Sequence, residues 1–378
     1  MKIIINSYNT LSAGTSIVSK QLLESMTQTS CQDRFHVIIP NIKIFNALTG
    51  YGHFQITRLP VFWGPFKYIF RFFYEFFIFP ITMLIKKPDV VLIMANYSPL
   101  RFNSRKIVLM QHSYLVDESI YSKIHTKTKI LEQFRQLIFH WTIRSSDEIV
   151  VQTEYIKHLL QKKYNVQHCK IHVLPNPLSK DITSFSTTRK NNSWEKEKIA
   201  IYVSRYNPHK NHQFIVTLAE SHKGALQKEN IKFHITINSA ISAAAENLIK
   251  EIKSKQLEDI IINIGEIPHH QISHYYQKAC CLFFPSKTES FGNVLIEAMY
   301  FGLPILVPDL GYARSVCGDA GYYYNPDDSD DAFNKLCQIC KNESLRHEYS
   351  NRSLKQAKLF PDSKTWAKQL LGIITQKA

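Results

Sequence analysis

No stretch of this 378-residue chain stays apolar long enough to cross a bilayer. The nearest approach, Phe66 to Phe79, is broken by Lys67, Arg71 and Glu75 and closed by Pro80 and Lys86-Lys87, short of the ~20 apolar residues that a helical span needs. A signal peptide is also missing, so a cytoplasmic protein is expected. Cysteine is sparse and odd in number, seven in all. Cys337-Gln-Ile-Cys340 has no second pair at zinc spacing, and on a helix the two read as packing thiols of a reducing compartment. No internal repeat and no recognised nucleic-acid motif is present. Acidic side chains are outnumbered, 31 against 46 basic ones, for a net charge of +15.

That charge is unevenly spread. Residues 1–180 hold 22 Lys and Arg against 10 Asp and Glu, an excess of +12, while residues 181–378 hold 24 against 21, an excess of +3. Without a nucleic-acid motif beside it, the excess points to an anionic membrane surface or a phosphate-bearing lipid rather than to DNA or RNA. The stretch Phe66–Phe79 belongs to the same question. Lys67, Arg71 and Glu75 recur every four residues and form one polar stripe on an otherwise aromatic helix. Either the aromatics face the domain core, the simpler reading, or some of them face lipid as an interfacial helix.

The length is large for one core and suits two domains. Strand-like runs alternate with helical stretches, which predicts α/β architecture with parallel sheets and helices on both faces. A polar stretch without apolar periodicity, Ser179 to Glu197, marks the boundary. Near the end, Trp366, Leu370 and Leu371 recur at helical spacing. Asp328-Ser-Asp330 fits an Asp-x-Asp metal site literally, but it follows Gly321-Tyr-Tyr-Tyr and precedes a helix, so it reads as an N-capping turn. His269-His270 has no acid or cysteine at ligand spacing and receives no role.

The most informative segment runs from Ser286 to Pro308. Two acids, Glu289 and Glu297, stand eight positions apart. Between them Ser290, Phe291, Gly292 and Asn293 read as a turn that opens a helix, which places Glu297 about two turns in. Buried-strand runs flank the unit, Cys281-Leu-Phe-Phe284 before and Pro304-Ile-Leu-Val307 after. The reading is therefore strand, polar loop, helix, strand. Such a loop presents free N–H groups to phosphate, and a carboxylate on the helix suits vicinal ribose hydroxyls. Upstream, the apolar strand Ile199 to Val203 ends at Arg205, with Lys210 five positions on. Two cations at a strand's carboxyl edge can neutralise a diphosphate.

Glu289-Ser-Phe-Gly-Asn-Val-Leu-Ile-Glu297, followed by Gly302-Leu-Pro-Ile and Val307-Pro, resembles the donor signature of family-four retaining glycosyltransferases. The resemblance implies the GT-B fold, two Rossmann-like doubly wound domains facing a central cleft. It divides the chain into residues 1–180 on the acceptor side, residues 181–360 as the donor domain, and residues 361–378 as a helix crossing back. The donor would be a nucleotide sugar, bound without an essential metal. In the family's pattern Arg205 and Lys210 hold the diphosphate, Glu289 the donor-sugar hydroxyls and Glu297 the ribose. Ser290, Phe291, Gly292 and Asn293 form the phosphate turn, and Gly265 opens the loop that meets the base.

The first half matches more loosely. Gly14 stands where members often have a glycine pair, and is expected in a loop that feeds a helix. His112 lies at a strand end where the family places a histidine beside the reacting sugar. Val173-Leu-Pro-Asn-Pro-Leu178 is similar to the interdomain hinge, with Pro177 in place of the usual glycine. Asp147 to Glu154 resembles the segment before that hinge and is expected only to pack. The acceptor implied is a saccharide or lipid-linked saccharide of surface polysaccharide or lipopolysaccharide synthesis, used at the inner face of the cytoplasmic membrane. An epimerase of the same fold and a non-catalytic membrane-bound scaffold are the alternatives.

Overall fold

The structure, a computed structural model, describes residues 1–11, 13–27, 33–50, 52–62, 64, 66–94, 96–118, 126–166, 170–184 and 198–376. The chain divides into two compact units, Met1–Pro177 with Pro361–Ala378, and Leu178–Phe360. Of the expected boundary stretch, Lys180–Thr183 form a short helix capped by Ser179, and residues 185–197 lie outside the described residues.

The first unit is built on β1 (Lys2–Asn6), β2 (Arg34–Pro40), β3 (Phe54–Leu59), β4 (Val90–Ile93), β5 (Arg105–Leu109), β6 (Glu148–Val151) and β7 (Ile171–Val173). They pair in the order β3-β2-β1-β4-β5-β6-β7, all parallel. β1 shows why this sheet is covered on both faces. Ile3 and Ile5 enter one apolar cluster with Val37, Leu92 and Trp366, while Ile4 enters another with Tyr74, Phe79 and Val91. Successive side chains of a strand point to opposite faces, so an unbroken apolar run needs two partners. One of them is the helix Ser363–Thr375, which contributes Trp366, Leu370 and Ile374.

The second unit carries β8 (Lys198–Tyr202), β9 (Ile231–Ile235), β10 (Ile261–Asn263), β11 (Cys281–Phe283), β12 (Ile305–Pro308) and β13 (Gly321–Tyr324). Their order is β10-β9-β8-β11-β12-β13, again parallel throughout. Each sheet reverses its strand order once, between β1 and β4 in the first unit and between β8 and β11 in the second. In doubly wound sheets ligands bind outside the carboxyl ends of the strands at that reversal.

The aromatic segment refines the sequence reading. The helix passes Pro80 and closes at Lys86-Lys87, the second of the two expected stops. It runs from Phe66 to Phe73, passes through a π-helical turn at Tyr74–Ile78, and continues from Phe79 to Lys86. The wider turn absorbs the break where Pro80 has no N–H to give. Of the two orientations that the sequence left open, the structure has both: Tyr74 and Phe79 enter the core, and other aromatics face outward. Glu75 is 5% exposed and Arg71 lies 4.8 Å over the Tyr97 ring, so the polar stripe faces the protein. Phe66, Ile69, Phe72, Phe73 and Phe77 face outward. The Lys67 side chain lies outside the described residues. Among the described residues no helix is long and apolar enough to cross a membrane.

Burial of Glu75 has a measurable consequence. Its Oε1 accepts from Asn9 Nδ2 at 2.6 Å, and its Oε2 has no hydrogen-bond partner. Burial raises its pKa from 4.5 to about 7, against the opposing pull of Arg71 and Asn9. The folded state thus keeps a proton that the unfolded chain releases, and stability falls as pH climbs through that window. Glu75→Gln cannot ionise and escapes the loss. Its unfolding free energy relative to wild type, read from urea titrations, is expected to rise by about 3 kcal/mol between pH 4.5 and pH 7.5. A constant difference across that range would show that Glu75 ionises normally.

Candidate active site

In the second unit the switch point brings two loops together. β8 leads through Val203 and Ser204 to Arg205, then into a 3-10 turn at Pro208–Lys210 and the helix His212–Ser221. β11 leads into the loop that ends at Gly292 and the helix Asn293–Tyr300. The loops are tied by backbone and side chain. Lys287 N–H donates to the His209 carbonyl at 2.8 Å, and Asn211 Nδ2 donates to the Pro285 carbonyl at 3.2 Å. The buried Tyr202 hydroxyl donates to the Lys210 carbonyl at 2.7 Å. These bonds set Lys210 Nζ 2.6 Å from Glu289 Oε1.

Burial opposes ionisation of Glu289. The Lys210 and His209 charges, with hydrogen bonds from Lys210 and Ser286, outweigh it and hold the carboxyl below its ordinary range. The turn after Glu289 depends on Gly292. Its φ is +87°, and a Cβ there would stand 3.0 Å from Leu295 Cδ1. Only glycine meets both conditions without strain. Phe291 is buried edge-on against Phe360, and Ser290 and Asn293 are half-buried on either side of this turn.

Arg205 does not share a partner with Lys210. Its Nε donates to Glu266 Oε1 at 2.9 Å, and Glu266 follows Gly265, whose φ is +74°. The hydrogen bond and charge of Arg205 hold the Glu266 carboxyl below its ordinary value despite some burial. Glu266 escaped the sequence reading because only the neighbouring glycine drew attention to that loop. Glu297 is the fifth residue of its helix, a little over one turn in rather than two, because the helix begins only at Asn293. It is buried, and His269 Nε2 lies 3.2 Å from its Oε1. The other ring nitrogen, Nδ1, is 3.3 Å from Asp181 Oδ2. The acids missing around His269 in the sequence are therefore supplied from 28 and 88 positions away.

Two expected site residues belong to the first unit. Gly14 is in the first turn of the helix Ala13–Thr27 rather than in a loop before it, and it is exposed. His112 follows β5 and precedes a 3-10 turn at Ser113–Leu115, with Nε2 3.0 Å from Glu132 Oε2. Arg135 donates to the other oxygen of Glu132. Burial works against this carboxylate, but His112 and Arg135 hold its pKa down. Asp328 accepts from the N–H groups of Asp330 and Asp331, both at 2.9 Å, and caps the helix Ser329–Lys341. Among the described residues no group of three or more His, Cys, Asp or Glu is placed to hold a metal ion. Cys337 and Cys340 are free thiols on that same helix, half-buried and buried.

Known proteins resemble this chain in sequence and in fold. Residues 184–356 match the family described as glycosyl transferases group 1, and residues 32–181 match glycosyltransferase family 4. The O-antigen chain mannosyltransferase RfbU of Salmonella typhimurium is 24% identical over 238 residues, 61% of this chain and 63% of the relative. O-antigen chain mannosyltransferase B of Escherichia coli is 26% identical over 161 residues, 43% of this chain and 42% of the relative. The chain thus spans less than two thirds of these curated relatives. Among solved structures, sucrose-phosphate synthase from Thermosynechococcus elongatus superposes with a TM-score of 0.77 at 15% identity, over 99% of this chain and 98% of that one. WaaG, a glycosyltransferase involved in lipopolysaccharide biosynthesis, gives 0.74 at 14% identity over 99% and 100%. Anabaena HepE in complex with UDP and glucose gives 0.71 at 12% over 99% of both chains. With its two parallel-sheet units and adjoining matches over most of its length, the chain belongs to the family 4, group 1 glycosyltransferases of the GT-B fold.

Proposed function

We propose that this protein transfers a sugar from a nucleotide-sugar donor to a saccharide or lipid-linked saccharide, with retention at the anomeric carbon. The carrying observation is the Lys210–Glu289 pair, 2.6 Å apart at the switch point of the second sheet. A lysine there can meet a diphosphate as a point charge while the paired carboxylate accepts from sugar hydroxyls. Arg205 supplies a forked cation on the other side. The helix after Gly292 adds N–H groups where charge grows as the glycosidic bond breaks. A retaining transfer needs no carboxylate pair of the hydrolase kind to activate water, and none is assigned here. In the first unit, His112 is assigned to the reacting sugar and Gly14 to donor binding. The UDP in the HepE structure supports a nucleoside diphosphate as the leaving group. The O-antigen and lipopolysaccharide relatives support an acceptor in surface polysaccharide synthesis.

Thermal shift against a panel of nucleotide sugars tests the donor. Release of nucleoside diphosphate that depends on an added saccharide then tests the transfer. Conversion of the donor to another nucleotide sugar without any acceptor would favour an epimerase, and no turnover with any donor would favour a scaffold.

The two glutamates are expected to separate. Glu297→Gln weakens binding of the free nucleoside diphosphate by about tenfold, since an amide accepts from ribose hydroxyls less strongly than a carboxylate. Glu289→Gln leaves that binding nearly intact, because Lys210 keeps its charge, and cuts sugar transfer by about 10²-fold. Calorimetric titration of both variants with the diphosphate reads the first effect and steady-state rates read the second. The reverse pattern would exchange the roles.

A further inference from the structure

The arrangement around Glu297 carries one step more, resting on the donor-site reading above. His269 stands at the start of a 3-10 turn, His269–Gln271, four residues past Gly265, and leads into the helix Ile272–Lys278. Both of its ring nitrogens face carboxylates, Nε2 to Glu297 and Nδ1 to Asp181. A neutral imidazole has one donor and one acceptor, and only the imidazolium donates from both nitrogens. The bridge is therefore complete when His269 is protonated. A third group, Tyr276 on the helix that follows, also senses Glu297. Its hydroxyl is buried without a hydrogen-bond partner, and burial, with the Glu297 charge added, raises its pKa well above the ordinary value.

We propose that His269 is the positioning residue of the ribose pocket, a protonated bridge that holds the Glu297 carboxylate in place and in charged form when a donor covers it. Glu297 is buried before any nucleotide arrives, and a ribose laid over it removes more water. A buried carboxylate under those conditions needs a charged, hydrogen-bonded partner. His269 leaves Oε2 of Glu297 open to ribose while it occupies Oε1. Burial alone would discharge His269, yet Glu297 and then Asp181 outweigh it and hold its pKa above 6.5. The bridge is then intact below 6.5 and is lost as pH rises through the higher folded value.

The test is calorimetric titration of the full-length protein with UDP, GDP, ADP and dTDP between pH 6 and pH 9. Comparing variant with wild type at each pH cancels the ionisation of the nucleotide itself. His269→Gln is expected to weaken the bound diphosphate about tenfold at pH 6, with the ratio falling toward one at pH 9. The effect falls on KM for the donor more than on kcat. Asp181→Asn removes the outer anchor without touching Glu297. It is expected to keep the tight limit at low pH and to move the transition to lower pH. A His269→Gln ratio that is near one throughout, or constant with pH, overturns the proposal, as does an Asp181→Asn transition that does not move. Failure of the wild type to bind any of the four nucleotides overturns the donor reading itself and this inference with it. Wild-type binding to at least one nucleotide tells the two failures apart: with it, a flat His269→Gln ratio overturns this inference and leaves the donor reading standing.

Discussion

Replacing Arg205 by alanine is expected to lower turnover by about 10²-fold or more, and to change donor affinity far less. That split follows if the cation acts on charge that grows only as the bond to the leaving diphosphate breaks. The Arg205–Glu266 pair does not stand in the way. The two side chains are 50% and 41% exposed, and exposed pairs are worth about 0–1 kcal/mol. A diphosphate outbids one such carboxylate easily. Lys210 differs, because its partner Glu289 is buried. A lysine has three donors and can keep Glu289 while it meets a phosphate. Lys210→Ala is expected to lower turnover at least as much, and to destabilise the fold as well by removing the strongest of the partners that hold a buried carboxylate. Arg205→Ala is thus the cleaner probe, with melting temperature as its control. Near-normal rates in both single variants would remove the diphosphate assignment.

The second large effect concerns the membrane. Phe66, Phe72, Leu84 and Ile85 are 67%, 57%, 71% and 71% exposed on the helical segment Phe66–Lys86. On the helix Thr126–Arg144 a second apolar stripe, Ile130, Phe134, Leu137 and Trp141, also faces outward. Both helices pack on Tyr97. Arg71 of the first covers its ring, and Phe139 of the second meets it edge-on at 6.4 Å. Two neighbouring apolar faces on the more basic half of the chain suit an anionic leaflet. Exposed Lys86, Lys87 and Lys129 lie on or next to these helices.

Vesicles containing anionic lipid are expected to bring the protein down on sedimentation, less so at high salt. Each basic residue near the leaflet adds about 1 kcal/mol, and each buried Phe about 1.5–3 kcal/mol. Replacing Phe66, Phe72 and Phe73 by serine should therefore reduce partitioning by about 10²-fold or more, even at high salt. Lys86, Lys87 and Lys129 changed to glutamate should remove the salt-sensitive part. A protein that stays in the supernatant with anionic vesicles at low salt does not dock this way, and its charge would then serve a soluble anionic acceptor.

The legible parts of this chain were those where neighbours in sequence are also neighbours in space. The turn from Glu289 to Asn293 could be read directly, because strand, glycine and helix follow one another within a dozen residues. Arg205 and Lys210 were legible for the same reason, as ends of one strand–turn unit. The partners of these residues were not. Nothing local joins Arg205 to Glu266 or His269 to Asp181, since those pairs form only when β8, β10 and the segment around Ser179 have been placed. The aromatic helix was open for a different reason. Its period was legible and its orientation was not, because periodicity shows that a stripe exists but not which side meets the protein. The π-helical turn at Tyr74–Ile78 then shifted the phase of the apolar face midway.

By itself the sequence determined the two parallel α/β units and the family, because unbroken apolar strands and a dense local motif need no knowledge of distant contacts. It also singled out Arg205 and Lys210, the charged residues proposed to meet a diphosphate. The tertiary structure alone decided how those charges are held. It paired Lys210 with Glu289 and Glu297 with His269, and it turned Glu75 inward and Phe66, Phe72, Phe73 and Phe77 outward. Such pairings depend on strand order and on the desolvation that packing imposes, and neither is written in any short stretch of residues.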